Sequence, residues 1–144
     1  MKNTNYSETI IKVSYADVDL MQVVHNAKYI EYFERGRLDF LSEFIMPYKD
    51  LIEKEAIQIP VTLNSAKYFK PAFYDDNLKL ITKIESYTNK RLHFTYQLFK
   101  NGILISEGIS EHAFIRDGQL KAIEIPELFV KKLSQISDIE CHIS

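Results

Sequence analysis

Residues 15–44 read YADVDLMQVVHNAKYIEYFERGRLDFLSEF, and this stretch decides the fold. An acidic, strand-like end passes through a short irregular turn into a long amphipathic helix. Tyr29, Phe33, Gly36, Phe40 and Phe44 recur at helical spacing, with Ile30, Arg37, Leu41 and Ile45 beside them, while Glu31, Arg35, Asp39, Ser42 and Glu43 fall mostly opposite. One apolar stripe with a charged back predicts a helix laid on a core. Pro47 marks the stop, and Asn26 is the expected N-cap. Gly36 lies on the apolar face, where an interior glycine costs about 1 kcal/mol relative to alanine. Close approach of another backbone is the reason expected for it.

Upstream, residues 8–15 alternate, with Thr9, Ile11, Val13 and Tyr15 on one face, which predicts a strand running into the acidic turn. Downstream, YKDLIEKEAIQ has room for a further helical turn. From Ile59 the pattern is β for nearly sixty residues. IPVTLNSAKYF alternates and ends at Lys70-Pro71, and YDDN supplies turn chemistry. LKLITKIESY, LHFTYQLF and ILISEGISEHAFIR follow as strands. Asn101-Gly102 predicts a type I′ hairpin, and Asp117-Gly118 repeats the device before QLKAI. Pro126 opens a last amphipathic segment, PELFVKKLSQI, and SDIECHIS is expected to fray.

The resulting order is strand, long helix, four or five antiparallel strands and a short terminal helix. One long apolar helix must cover one face of the sheet, so a curved antiparallel sheet wrapped around that helix is the economical arrangement, an α+β fold. A ferredoxin-like sandwich needs a second substantial helix between strands. No repeat or linker divides the chain, and 144 residues form one domain.

Composition narrows the function. A formal charge of −2 gives no reason to expect nucleic acid or an anionic membrane as partner. The N-terminus carries no apolar signal region, and no run approaches the ~18 apolar residues of a membrane span. The single cysteine, Cys141, excludes a disulfide framework within the chain, so a cytoplasmic, reducing location is expected.

Candidate chemistry gathers at the turn. Asp17 and Asp19 form a D-x-D, yet no glycine-rich phosphate loop accompanies it, so turn and capping roles are favoured over a metal. His25 stands just ahead of the helix start, where unpaired N–H groups and the helix dipole favour an oxygen gaining negative charge. Asp19 reaches the same pocket from the other side. The alternative for His25 is a partly buried ring bonded to nearby backbone. His93, His112 and His142 lack metal-ligand spacing, and no serine sits in a G-x-S-x-G elbow.

The stretch YADVDLMQVVHNAKYIEYFERGRLDFL resembles the signature of hotdog-fold acyl-CoA thioesterases of the 4-hydroxybenzoyl-CoA thioesterase family. YFKPAFYDDNLKLIT and KNGILISEGISEHAFIRDGQLKAIEIP are similar to later parts of that pattern, so the resemblance covers about residues 8–130. It implies a sheet wrapped around the central helix, paired into dimers and often tetramers, with no metal or redox cofactor. It implies that Asp19 is the catalytic carboxylate, as general base or nucleophile, that the N–H at Asn26 polarises the thioester carbonyl, and that His25 is the histidine of the Val-Val-His group. Val24 and Tyr29 belong to the same motif and are expected at the substrate. Basic residues near the start of a middle strand meet the coenzyme A phosphates, which points to Lys90 and Arg91. The family usually has glycine where this chain has Gln22, which then bends the turn differently or places an amide at the pocket edge. The expected activity is hydrolysis of an acyl-CoA or acyl-carrier-protein thioester. A non-catalytic acyl-thioester or fatty-acid binding module is the alternative. A hydratase is disfavoured, because the run from Asp19 to His25 lacks the proline and spacing of such enzymes.

Overall fold

The long helix predicted from the apolar stripe forms over Asn26–Phe44 in the computed structural model, which describes residues 4–143. In chain order the elements are β1 (Tyr6–Lys12), a single 3₁₀ turn (Tyr15–Asp17), α1 (Asn26–Phe44), α2 (Tyr48–Glu55), β2 (Ile57–Gln58) and β3 (Val61–Tyr68). Then follow β4 (Asn77–Thr88), β5 (Leu92–Lys100), β6 (Ile103–His112), β7 (Phe114–Arg116), β8 (Ala122–Ile123), α3 (Glu127–Leu133) and β9 (Glu140–His142). Five strands run antiparallel in the order β1-β4-β5-β6-β3, and β9 adds to β4 in parallel. β2, β7 and β8 make a small second sheet. A ferredoxin-like sandwich is excluded, since no helix separates β3 from β6.

The inward faces of β4, β5 and β6 supply Leu80, Ile84, Phe94, Leu98 and Ile105, all buried against the α1 face that carries Tyr29, Phe33, Phe40 and Leu41. Phe33 stacks on Tyr96 at 4.6 Å between ring centroids, which ties the middle of α1 to β5. Gly36 sits where helix and sheet are closest. A Cβ there would collide with Thr82 Oγ1 and stand 2.5 Å from Leu80 Cδ2, so the glycine is kept by close packing of helix on sheet, against side chains of β4 rather than the backbone that the sequence led one to expect.

The β5–β6 hairpin has positive φ at both Asn101 (50°) and Gly102 (78°), the type I′ geometry that its sequence demands. Several expectations fail in instructive ways. β1 ends at Lys12, and Tyr15 is three-quarters exposed in the 3₁₀ turn, because Val13 N–H donates to Asp76 O and Val13 O accepts from Asp75 N–H, which ends the β1–β4 ladder. At Asp117-Gly118 only Gly118 has a positive φ, so this turn does not repeat the type I′ device. The tail that was expected to fray is β9, which pairs Glu140–His142 with Ser86–Thr88. The alternation in β3 buries neither face: Val61, Leu63 and Tyr68 are 42%, 46% and 46% exposed. β3 is an edge strand, unpaired on its outer side among the described residues.

Candidate active site

A very small hairpin holds the candidate site. Val18 bridges to Val24, Asp19 N–H donates to Val23 O (3.0 Å), and His25 N–H donates to Asp17 O (2.9 Å). The turn between these arms is closed by Gln22 N–H to Asp19 O (2.9 Å), with Gln22 at φ 61°. That left-handed torsion explains why glycine is usual at this place in the resembled family: glutamine keeps the turn and accepts the torsional strain. Gln22 O also accepts from Tyr74 N–H (3.2 Å), and Val23 bridges to Phe73, so the hairpin is stitched to the loop before β4.

The two aspartates are held differently. Asp17 Oδ2 accepts from the Tyr32 hydroxyl (2.9 Å) and from Ser14 N–H (3.0 Å). Partial burial pushes the Asp17 carboxyl up, but these two bonds and the Lys28 charge outweigh it and hold the group below the ordinary carboxylate value. Asp19 is exposed; its Oδ1 accepts from Met21 N–H (2.8 Å) and Val23 N–H (3.3 Å), bracing the turn. Its Oδ2 has no protein partner among the described residues. Each carboxylate thus has one oxygen engaged and one without a partner among the described residues; what separates them is that Asp17 is half-buried and tied to α1, whereas Asp19 is exposed and tied only to its own turn.

The expected N-cap moves by one residue. His25, not Asn26, caps α1: its Nδ1 accepts from Ala27 N–H (3.2 Å), and its carbonyl accepts from Lys28 N–H (2.9 Å). Asn26 has helical geometry as the first residue of α1 because the β-region torsions of His25 are those that a cap needs. The neutral His25 ring then carries its proton on Nε2. The ring is exposed rather than partly buried, although it is bonded to nearby backbone. The Asn26 N–H has no acceptor among the described residues and points out of the positive end of a 19-residue helix.

Val24 and Tyr29 are both buried, and with Val23, Asn26, Tyr68 and Phe69 they border a groove of about 280 Å³. Tyr29 meets Tyr68 edge to face at 4.9 Å, and burial pushes its hydroxyl above the ordinary value. Lys90 and Arg91 lie elsewhere. They occupy the β4–β5 turn, at the far end of β4 from the Asp75–Val13 contact beside the Asp19 hairpin. Twelve residues of β4, about 40 Å of strand, intervene, so one chain does not bring them to Asp19. Arg91 instead donates to Lys90 O and faces Glu111 at 3.9 Å.

Sequence reasoning missed Tyr32, which spacing alone puts beside the apolar stripe but whose role depends on the hairpin folding back over α1. It also missed a buried polar chain. Arg37 Nη1 donates to the Tyr96 hydroxyl (3.0 Å), Tyr96 to Ser110 Oγ (2.6 Å), Ser110 to His112 Nε2 (2.8 Å), and His112 Nδ1 to Ile59 O (3.0 Å). These directions follow because a guanidinium only donates and a carbonyl only accepts. Burial, aided by the Arg37 charge, drives the His112 ring down to about 4, so it is neutral near neutrality.

Known proteins share this fold. The model of the thioesterase-like superfamily matches residues 13–133. The acyl-CoA thioesterase YbgC of Haemophilus influenzae is 26% identical over 117 residues, covering 81% of this chain and 86% of that protein. A DHNA-CoA thioesterase from Staphylococcus aureus superposes with a TM-score of 0.84 at 32% identity, covering 90% of this chain and 89% of that one. A hypothetical protein from Thermus thermophilus gives the same TM-score and identity over 90% of this chain and 98% of its own. The antiparallel sheet wrapped on α1 is the hotdog fold, and the chain belongs to the thioesterase-like superfamily.

Proposed function

We propose that the protein hydrolyses acyl-CoA thioesters, with Asp19 as the reacting carboxylate and the Asn26 N–H as the donor to the thioester oxygen. The observation that carries this is the pairing of the exposed Asp19, whose Oδ2 has no partner among the described residues, with the helix-start N–H of Asn26, which has no acceptor among them, on the two arms of one bridged hairpin. Water attacks the carbonyl carbon and gives its proton to Asp19 Oδ2. The tetrahedral oxyanion forms against the Asn26 N–H, where the helix dipole adds to the bond. Collapse breaks the C–S bond, and the departing thiolate regains the proton from Asp19. Direct attack by Asp19 through an anhydride uses the same atoms and the same donor. In both routes His25 orders the helix start through Nδ1 and leaves Nε2–H to the pocket. Val24, Tyr29 and Gln22 border the acyl group.

The protein acts as a dimer or a pair of dimers. The open β3 edge, with Val61, Leu63, Tyr68 and Phe69 exposed on and beside it, supports pairing with a second copy. A two-fold axis at that edge exchanges the two ends of the sheet. Lys90 and Arg91 then serve the coenzyme A phosphates at the site of the other copy, which accounts for their distance from Asp19 within one chain. A cytoplasmic location accompanies this reading. No helix is long and apolar enough to cross a membrane among the described residues.

Thiol release from a panel of acyl-CoAs tests the reaction. Turnover of at least one member is expected. Tight binding of acyl-CoA without release of thiol by any member would make the protein a binding module, and turnover of acyl-carrier protein alone would change the carrier.

A further inference from the structure

Tyr29 is only 3% exposed, yet its hydroxyl is half satisfied. The phenol oxygen accepts from the backbone N–H of Ala72, and no described residue accepts the hydroxyl proton. A buried phenol O–H ordinarily has a partner. Burial keeps the group protonated near neutrality, so the proton is there to be donated. The ring is fixed edge to face against Tyr68 at 4.9 Å and against Tyr32 at 6.0 Å. It forms part of the wall of the groove that Val23, Val24 and Asn26 also border.

Two independent relations place this hydroxyl at the start of α1. Tyr29 stands three residues after Asn26, about 4.5 Å along the helix axis, and helical side chains lean back towards the N-terminus. Tyr32, three residues further on, reaches back in this way to Asp17 Oδ2 at 2.9 Å, so a tyrosine of this face extends beyond the first residue of the helix. From the other side, Ala72 holds both partners: its N–H meets the phenol oxygen, and its carbonyl accepts from Val24 N–H at 2.9 Å. The phenol is thus anchored to the residue that also anchors the hairpin arm two positions ahead of Asn26. A hydroxyl and a backbone N–H, neither with an acceptor among the described residues, border one groove.

We propose that the Tyr29 hydroxyl is a second donor to the thioester oxygen, completing with the Asn26 N–H a two-donor oxyanion site. As water adds to the carbonyl carbon, the π pair of the C=O bond moves onto oxygen, and the charge gathered there is shared between one N–H and one O–H. The phenol keeps its proton throughout, and Asp19 remains the group that takes the proton of the water. The inference rests on the thioesterase reading and adds a catalytic residue to it.

Tyr29→Phe tests it, because the ring and its edge-to-face contacts stay and only the hydroxyl goes. On the best acyl-CoA, kcat in the folded fraction is expected to fall by about 10²–10³-fold with KM nearly unchanged, as for the loss of one oxyanion donor. The second variant replaces Tyr29 by a ring-difluorinated tyrosine, which keeps an oxygen for the Ala72 N–H but holds its proton less tightly. Its kcat should fall at a lower pH on the alkaline side than that of the wild type. A kcat within about threefold of wild type in Tyr29→Phe, or a raised KM alone, overturns the second donor and leaves the thioesterase reading standing. Should Tyr29→Phe not fold, the fluorinated variant decides, and an unchanged pH profile overturns the inference. Turnover of no acyl-CoA by the wild type overturns the thioesterase reading and this inference with it.

Discussion

The Tyr32 hydroxyl, on the buried face of α1, donates to Asp17 Oδ2 at 2.9 Å and so locks the first aspartate of the D-x-D to the helix that the hairpin precedes. Burial and the bond and charge of Asp17 together raise the Tyr32 hydroxyl well above its ordinary value, so it stays a donor through the neutral range. This bond separates the two aspartates: Asp17 fixes the hairpin on α1, whereas the exposed Asp19, two residues on, braces only its own turn through Oδ1.

Tyr32→Phe is therefore expected to lower stability by about 1–3 kcal/mol, the loss of a charge-assisted bond to a partly buried acceptor. Turnover should fall far less than tenfold in the folded fraction. Urea unfolding paired with thiol-release kinetics checks this. A stable variant with abolished turnover would place Tyr32 in the chemistry instead.

Gly36→Leu should cost about 3 kcal/mol or more. The gain in helix propensity is about 1 kcal/mol, but the side chain is forced into the space held by Leu80 and Thr82. Gly36→Ala is the milder test of the same contact, with a net loss of about 1–2 kcal/mol expected, because its Cβ already overlaps Thr82 Oγ1. Thermal melts that match the wild type would contradict the close packing.

Ala56 closes α2 in the left-handed region at φ 54°, where glycine is unstrained. Ala56→Gly is expected to raise stability by up to about 1 kcal/mol. Gln22→Val should act oppositely and cost more than 1 kcal/mol, since a β-branched residue tolerates φ 61° poorly. Chemical denaturation midpoints measure both.

His112 makes stability depend on acid. Its folded value is depressed to about 4 from 6.5, so the unfolded chain binds the extra proton between these limits. The contribution is complete above about pH 6.5 and is lost as pH falls towards 4, on the order of 3 kcal/mol in all. Unfolding free energy should decline over that window, and the His112 ring resonance should remain that of a neutral imidazole at pH 5.5. A ring titrating near its ordinary value would contradict the buried polar chain.

What could be read from the sequence was what is local. The α1 stripe, the Asn101-Gly102 hairpin and the role of Gly36 follow from periodicity and backbone torsion within a few residues. The N-cap was misplaced by one because His25 and Asn26 both accept hydrogen bonds, and only the torsions of the folded hairpin choose between them. β9 was unreadable because ECH has no period of its own and pairs with a strand more than fifty residues earlier. The Arg37–Tyr96–Ser110–His112 chain spans α1, β5 and β6, so no window of sequence contains it. At the site, Asp19 and Asn26 were marked by the motif, whereas the division of labour between Asp17 and Asp19 rests on Tyr32, fifteen residues away.

The central claim is that Asp19, and not Asp17, does the chemistry. Asp19→Asn and Asp17→Asn are to be compared on the best acyl-CoA of the panel, with single-turnover thiol release and with substrate binding followed separately. Asp19→Asn is expected to keep the turn bonds from Met21 and Val23 through its amide oxygen, to bind substrate normally, and to lose about 10²–10⁴-fold in turnover. Asp17→Asn should lose stability while its folded fraction turns over within about tenfold of wild type. Near-normal turnover by Asp19→Asn, or a dead but stably folded Asp17→Asn, would contradict the assignment of the site.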